Sequence, residues 1–80
     1  MKEYFLGEIK MFSFNFVPRD FMECDGRLIS IQENTALYSL LGDKYGGDSR
    51  TVFGLPSMKG DKNMKYCICI FGVYPSRHSQ

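Results

Sequence analysis

Over residues 7–17 apolar and polar positions alternate, with Ile9 and Met11 in one phase and Phe12, Phe14 and Phe16 in the other, separated by Ser13 and Asn15. A period of two marks a strand, and the change of phase at Met11-Phe12 predicts a bulge or bend there. Pro18 cannot donate to a ladder and ends the strand. Residues 19–24 are too short to assign. Asp25-Gly26 carries a tight-turn signal, and residues 28–31 read as a short strand. Ser30-Ile31-Gln32-Glu33 has the form of a capping box, followed by Ala36, Leu37, Leu40 and Leu41 at helical spacing and by Gly42 as a left-handed stop. These signals predict a helix over residues 31–41 with one apolar face on a sheet.

Residues 43–50 form a turn-rich loop in which Gly46 and Gly47 are free to take positive φ. Thr51-Val52-Phe53 is a brief strand stopped by Gly54-Leu55-Pro56. Residues 57–65 hold three lysines and Gly60, and read as an exposed connection. Residues 66–74 are apolar almost throughout, the pattern of a strand buried on both faces, and so they are expected to form the centre of the sheet. The tail from Pro75 onward is polar. The predicted fold is α+β, a small, mostly antiparallel sheet with one short helix packed on it.

An 80-residue chain is expected to form one domain over residues 1–80. At that length a single core leaves a narrow margin of stability, which favours self-association. With 44% hydrophobic and 15% aromatic residues the chain has ample material for an ordered core. Ten Lys and Arg are interspersed with nine Asp and Glu, which argues against nucleic acid or an anionic membrane as partner. No apolar stretch approaches the roughly 20 residues that cross a bilayer. Glu3 and Glu8 interrupt the start before a secretory-signal core can form, so a cytoplasmic protein, or one assembled there into something larger, is expected.

The three cysteines do not suggest a disulfide framework. Cys67 and Cys69 are about 6.5–7 Å apart on one strand face, which does not favour a bond between them. They read as small buried hydrophobes. With Cys24 and His78 they lack the spacing of a zinc site. His78 is the only histidine and lies in the polar tail, a poor position for a general base. No catalytic residue, metal or cofactor is assigned. The constellation closest to a binding site is Asp43, Tyr45, Gly46, Gly47, Asp48 and Arg50, where carboxylates, backbone amides and a guanidinium share one loop that could take an anion, a sugar or a cation. The structural alternative is a helix end leading into a turn, with Asp48 and Arg50 paired locally or fixing the backbone at Phe53-Gly54. The glycine pair is not a phosphate-binding loop, because no Gly-Lys-Ser/Thr follows it. The aromatic residues near the front, Tyr4, Phe5, Phe12, Phe14 and Phe16, are expected in the core, and an exposed subset would mark an oligomer interface.

Taken in order, Gly7-Glu8-Ile9, Pro18-Arg19, Cys24-Asp25-Gly26, residues 36–42, Tyr45-Gly46-Gly47-Asp48, Arg50-Thr51, Phe53-Gly54-Leu55-Pro56 and residues 72–77 resemble the phage tail-collar domain and the related microcystin-dependent protein group. The resemblance implies a structural or adhesive part of a tail fibre or of a related bacterial protein, usually oligomeric and often trimeric. Its partners would be other copies, other tail proteins or a host protein, and its place the virion tail or a bacterial cytoplasm. It also implies that Cys24, Asp25, Gly26, Gly54, Pro56, Pro75 and Arg77 are structural motif positions, with Arg77 expected to dock as a bidentate partner of Asp25 or Asp48. Phe21 stands where the family usually has Trp, and Ser57-Met58-Lys59-Gly60-Asp61 stands where Asp-Leu-Arg-Gly-Arg is common. Longer members carry a long variable segment before the last strand, and here residues 57–65 take its place. The role expected is therefore a structural or binding module that self-associates. The alternative is a small stand-alone oligomer that binds a small ligand or inhibits a host protein.

Overall fold

The computed structural model describes residues 3–75. Five strands and one helix follow in the order β1 (Ile9–Ser13), β2 (Phe21–Glu23), β3 (Leu28–Ser30), α1 (Thr35–Leu41), β4 (Val52–Gly54) and β5 (Met64–Cys69). All pairing between these strands is antiparallel. A three-stranded sheet has the order β1-β5-β2, and β3 pairs with β4 in a separate two-stranded sheet. The α+β class and the central position of the last strand are as expected from the sequence.

The apolar run of β5 is explained by what covers each of its faces. Ile68 points into the main core with Leu37 of the helix, Phe53 of β4, Leu55 just after it, Leu6 before β1 and Cys24 after β2. Cys67 and Cys69 point the other way, against Phe21 with Tyr4 and Phe12 beside it. Tyr4 and Phe12 each meet the Phe21 ring edge-on at 5.0 Å, the arrangement that aromatic quadrupoles favour. Phe5, Phe14 and Phe16 are exposed, contrary to the expectation that the leading aromatics fill the core.

Several boundaries differ from the sequence reading. The helix begins at Thr35 rather than at residue 31: the Ile31 N–H extends the β3–β4 pairing to the Thr51 carbonyl at 2.9 Å, and the Ile31 carbonyl closes a turn with the Asn34 N–H at 3.1 Å over residues 31–33. The Ser30 hydroxyl does accept from the Glu33 N–H, at 3.1 Å, as a capping box requires, but that turn does not propagate. Asn34 precedes the first helical residue, and its carbonyl accepts from Tyr38. Strand β1 is confined to five of the eleven residues in 7–17, because Phe16 turns back on the Ser13 carbonyl.

The irregularity in β1 also lies elsewhere. Pairing runs without interruption through Met11 and Phe12. At the start of the strand, the Gly7 N–H and the Glu8 carbonyl both bond Cys69, two residues against one, with Gly7 at φ +85°. That is a glycine bulge, and the left-handed backbone explains the Gly. The final strand stops at Cys69 and starts at Met64, so Met64 and Lys65 belong to it and not to the preceding connection. Beyond Cys69 the chain leaves the ladder and forms a parallel bridge between Val73 and Phe5. Strand β2, unassigned from sequence, is held by β5, with Phe21 opposite Cys69. Among the described residues no helix is long and apolar enough to cross a membrane.

Candidate functional site

Residues 43–50 leave the helix end at Gly42, whose N–H bonds the Tyr38 carbonyl at 2.7 Å. The loop then folds onto β4. The Gly46 carbonyl accepts from the Gly54 N–H at 2.9 Å, and Gly47 forms a bridge with Phe53. Both contacts need glycine. A Cβ on Gly47 would come within 2.5 Å of the Val52 carbonyl oxygen, and one on Gly54 within 2.2 Å of that of Tyr45.

Asp48 organises the next turn. Its Oδ1 accepts from the backbone N–H groups of Arg50 at 2.9 Å, Thr51 at 2.7 Å and Val52 at 3.1 Å, and its Oδ2 accepts from the Thr51 hydroxyl at 2.6 Å. The Thr51 hydroxyl first, and then these amides, hold the Asp48 carboxyl well below the usual carboxylate range. Asp43 accepts from the Tyr38 phenol at 3.1 Å and from the Ser49 hydroxyl. Desolvation, and then the Asp43 carboxylate, push the Tyr38 phenol upward.

The structure therefore brings Asp43, Gly46, Gly47 and Asp48 together as a clamp between the helix end and β4. Asp48 fixes the backbone of residues 50–52, and Gly46 rather than Asp48 secures Gly54. Arg50 takes part through its backbone N–H, and its guanidinium has no partner among the described residues. Tyr45 is exposed, with the Lys44 ammonium 5.7 Å from its ring centre. Tyr38, Ser49 and Thr51 complete the clamp and were not singled out from the sequence. The legible signal was Thr51 three residues after Asp48, the spacing of a side-chain-stabilised turn.

Asp25 and Arg27 form a second local unit. Arg27 donates to Asp25 through Nη2 at 2.7 Å and Nε at 3.0 Å, and its backbone N–H bonds the same carboxylate at 3.1 Å. The guanidinium hydrogen bond holds the Asp25 carboxyl below its ordinary value. Gly26 makes this turn at φ +81° and passes its N–H to the Pro56 carbonyl. Thus Cys24, Asp25, Gly26, Gly54 and Pro56 lie along one seam, where the Cys24 carbonyl also accepts from Met58. Pro75 closes the described chain, and Arg77 and His78 lie outside the described residues. The expected Arg77 pairing falls there as well, while the Asp25 carboxylate is engaged by Arg27.

All three thiols are free and buried. Burial pushes the Cys24 thiol up to about 11, and those of Cys67 and Cys69 upward too. Such thiols stay protonated at neutral pH and pack as hydrophobes. The clamp and the seam both hold chain to chain.

These features define a small α+β domain of structural type, built on a glycine-dependent loop and a proline-containing seam. Comparison with protein families matches residues 7–61 to the phage tail collar domain, so the chain belongs to that family. The family is a structural, non-enzymatic one. Comparison with curated proteins found no significant match. Comparison with solved structures found none either.

Proposed function

We propose that this chain is a structural module of a phage tail and works as a homo-oligomer. The observation that carries the reading, beyond family membership, is the distribution of apolar side chains. Among the described residues thirteen large hydrophobics are exposed, against nine buried hydrophobics, and Phe71 is 75% exposed. Exposed hydrophobics on this scale are more than a solitary small domain needs, and burial between copies would stabilise a chain whose own core is small.

Sedimentation velocity of the purified chain tests self-association, with a mass at a multiple of the monomer expected at micromolar concentration. A monomer throughout that range would overturn it. Mass spectrometry of purified virions tests the location, and its expected result is the chain in stoichiometric amount with tail proteins. The short connection between Pro56 and β5, where longer relatives carry a variable segment, favours one rival, a free oligomer that binds a small ligand or a host protein. Absence from purified particles, together with an oligomeric free chain in infected cells, would favour that rival.

A further inference from the structure

Among the described residues, strand β1 lies at the edge of its sheet, paired with β5 alone. Its ladder bonds identify the edge left open. The Glu8 carbonyl accepts from Cys69, and Phe14 donates to Asn63, at opposite ends of a register that pairs Lys10 with Cys67 and Phe12 with Lys65. In an antiparallel pair, alternate residues exchange both hydrogen bonds, so the even positions bond β5 and the N–H and C=O groups of Ile9 and Met11, with the N–H of Ser13, are left on the outer edge, while the Ser13 carbonyl already accepts from Phe16. Among the described residues none of those three N–H groups has a partner. The Ile9 and Met11 side chains are 38% and 42% exposed, on the same sheet face as Ile68 and Tyr66. Ile9 lines an open groove of about 640 Å³ that also takes in Tyr45, Pro56 and Met58.

Protective devices on this edge are few. It has no proline, and the bulge at Gly7-Glu8 precedes the strand. Its single charge, Lys10, is folded back onto its own sheet, with Nζ 3.8 Å from Glu8 and 5.7 Å from the Tyr4 ring centre. A turn covers only the last carbonyl of β1, where Phe16 bonds Ser13, whereas turns occupy both ends of the outer edge of the shorter β2, where Phe21 bonds Pro18 and the Glu23 carbonyl accepts from Asp25.

We propose that β1 pairs antiparallel with β1 of a second copy about a two-fold axis at Met11, making one continuous six-stranded sheet. This deepens the self-association reading and rests on it. The register follows from charge. With Met11 opposite Met11, Ile9 faces Ser13, Lys10 faces Phe12 and Glu8 faces Phe14 of the second copy, so no like charges meet and the ammonium lies against an aromatic ring. About four new hydrogen bonds form, two between the Met11 residues and two from the Ser13 N–H groups to the Ile9 carbonyls, since the Ser13 carbonyl is already taken by Phe16. A slip of two residues toward the N-terminus would put Lys10 opposite Lys10, which is unfavourable. Ile9 and Met11 of both copies then close over the gap between the two cores. The contact is isologous, each patch meeting itself, and differs from the head-to-tail contact of a cyclic trimer.

In that pairing the two Met11 Cα atoms are about 5.5 Å apart, within disulfide reach. Met11→Cys should therefore form a covalent dimer under mild oxidation at least tenfold faster than Arg50→Cys, an exposed control. In the unaltered chain, the N–H groups of Met11 and Ser13 should be protected from hydrogen exchange in the oligomer and lose protection on dilution to monomer. Those of Lys10 and Phe12 should stay protected at both concentrations. An oligomer in which the Met11 and Ser13 amides exchange freely, or in which the two cysteine variants cross-link at equal rates, overturns the β1 pairing while self-association stands. A chain that sediments as a monomer overturns both.

Discussion

Replacing Phe53 with alanine removes the side chain on which the two sheets and the helix converge. Phe53 is 0% exposed, lies in the main core with Leu37, Leu55 and Ile68, and packs against the Tyr38 ring at 5.1 Å. Its backbone is also where Gly47 docks, so the cavity would open beneath the clamp. Phe→Ala changes at such sites cost about 3–5 kcal/mol, transfer and cavity terms together. A domain of this size has roughly 4–12 kcal/mol in all, so the variant should stand at the edge of folding. At about 4–8 °C per kcal/mol, the midpoint should fall by at least about 12 °C. Thermal and urea unfolding followed by circular dichroism would measure this, at a protein concentration where wild type and variant have the same oligomeric state. If the loss is below about 1.5 kcal/mol with an unchanged m-value, Phe53 is not the keystone and the core has been wrongly placed.

Two further outcomes concern the clamp. Asp48→Asn should lower the unfolding midpoint at pH 7, and the gap from wild type should narrow as pH falls below about 4, the ordinary carboxylate range. The folded carboxyl is held below its unfolded value, so its contribution is complete above the unfolded pKa and is lost as pH falls through the folded one. A gap that is constant with pH would show that the carboxylate charge does not hold the turn. Gly54→Ala should abolish the folded state, since its Cβ would meet the Tyr45 carbonyl oxygen at 2.2 Å. Gly42→Ala meets nothing within 4 Å and, at φ +59° and ψ −148°, a backbone region essentially kept for glycine, should cost about 1–3 kcal/mol of strain, so equal midpoints for the two variants would refute the docking of the loop on β4.

The sequence made some elements legible because their signals are local. The Gly42 stop, the Asp25-Gly26 turn and the short strands around residues 28–31 and 51–53 depend on residues within a few positions of one another, and all are present. The doubly buried strand is present only in part: Cys67, Ile68 and Cys69 are covered on both faces, but Phe71, Val73 and Tyr74 of the same apolar run lie beyond the strand and are exposed, since no described element packs over them. Helix length was not legible, since Ile31 continues the β3 pairing by bonding Thr51, twenty positions away and just before β4. The clamp was half legible. Its carboxylates and glycines were visible as a group, but Asp48 could bond Arg50, the backbone or a ligand equally well on sequence evidence. Only the fold supplies the Thr51 hydroxyl and three amides at bonding distance.

By itself, then, the sequence determined the class of the fold, the identity of the central strand, the turn positions and, through an ordered series of short motifs, the family. These depend on periodicity and on residues whose backbone preferences are intrinsic. Tertiary structure decided which aromatics are covered and which edge of the sheet is left open. Phe12 and Phe14 share a phase and a residue type, yet Phe12 meets Phe21 while Phe14 faces solvent. The second layer spans β5 and leaves Ile9 and Met11 of β1 uncovered. Hydrophobic pattern says that a side chain would gain from burial, and only the arrangement of the other elements determines whether a surface is there to bury it.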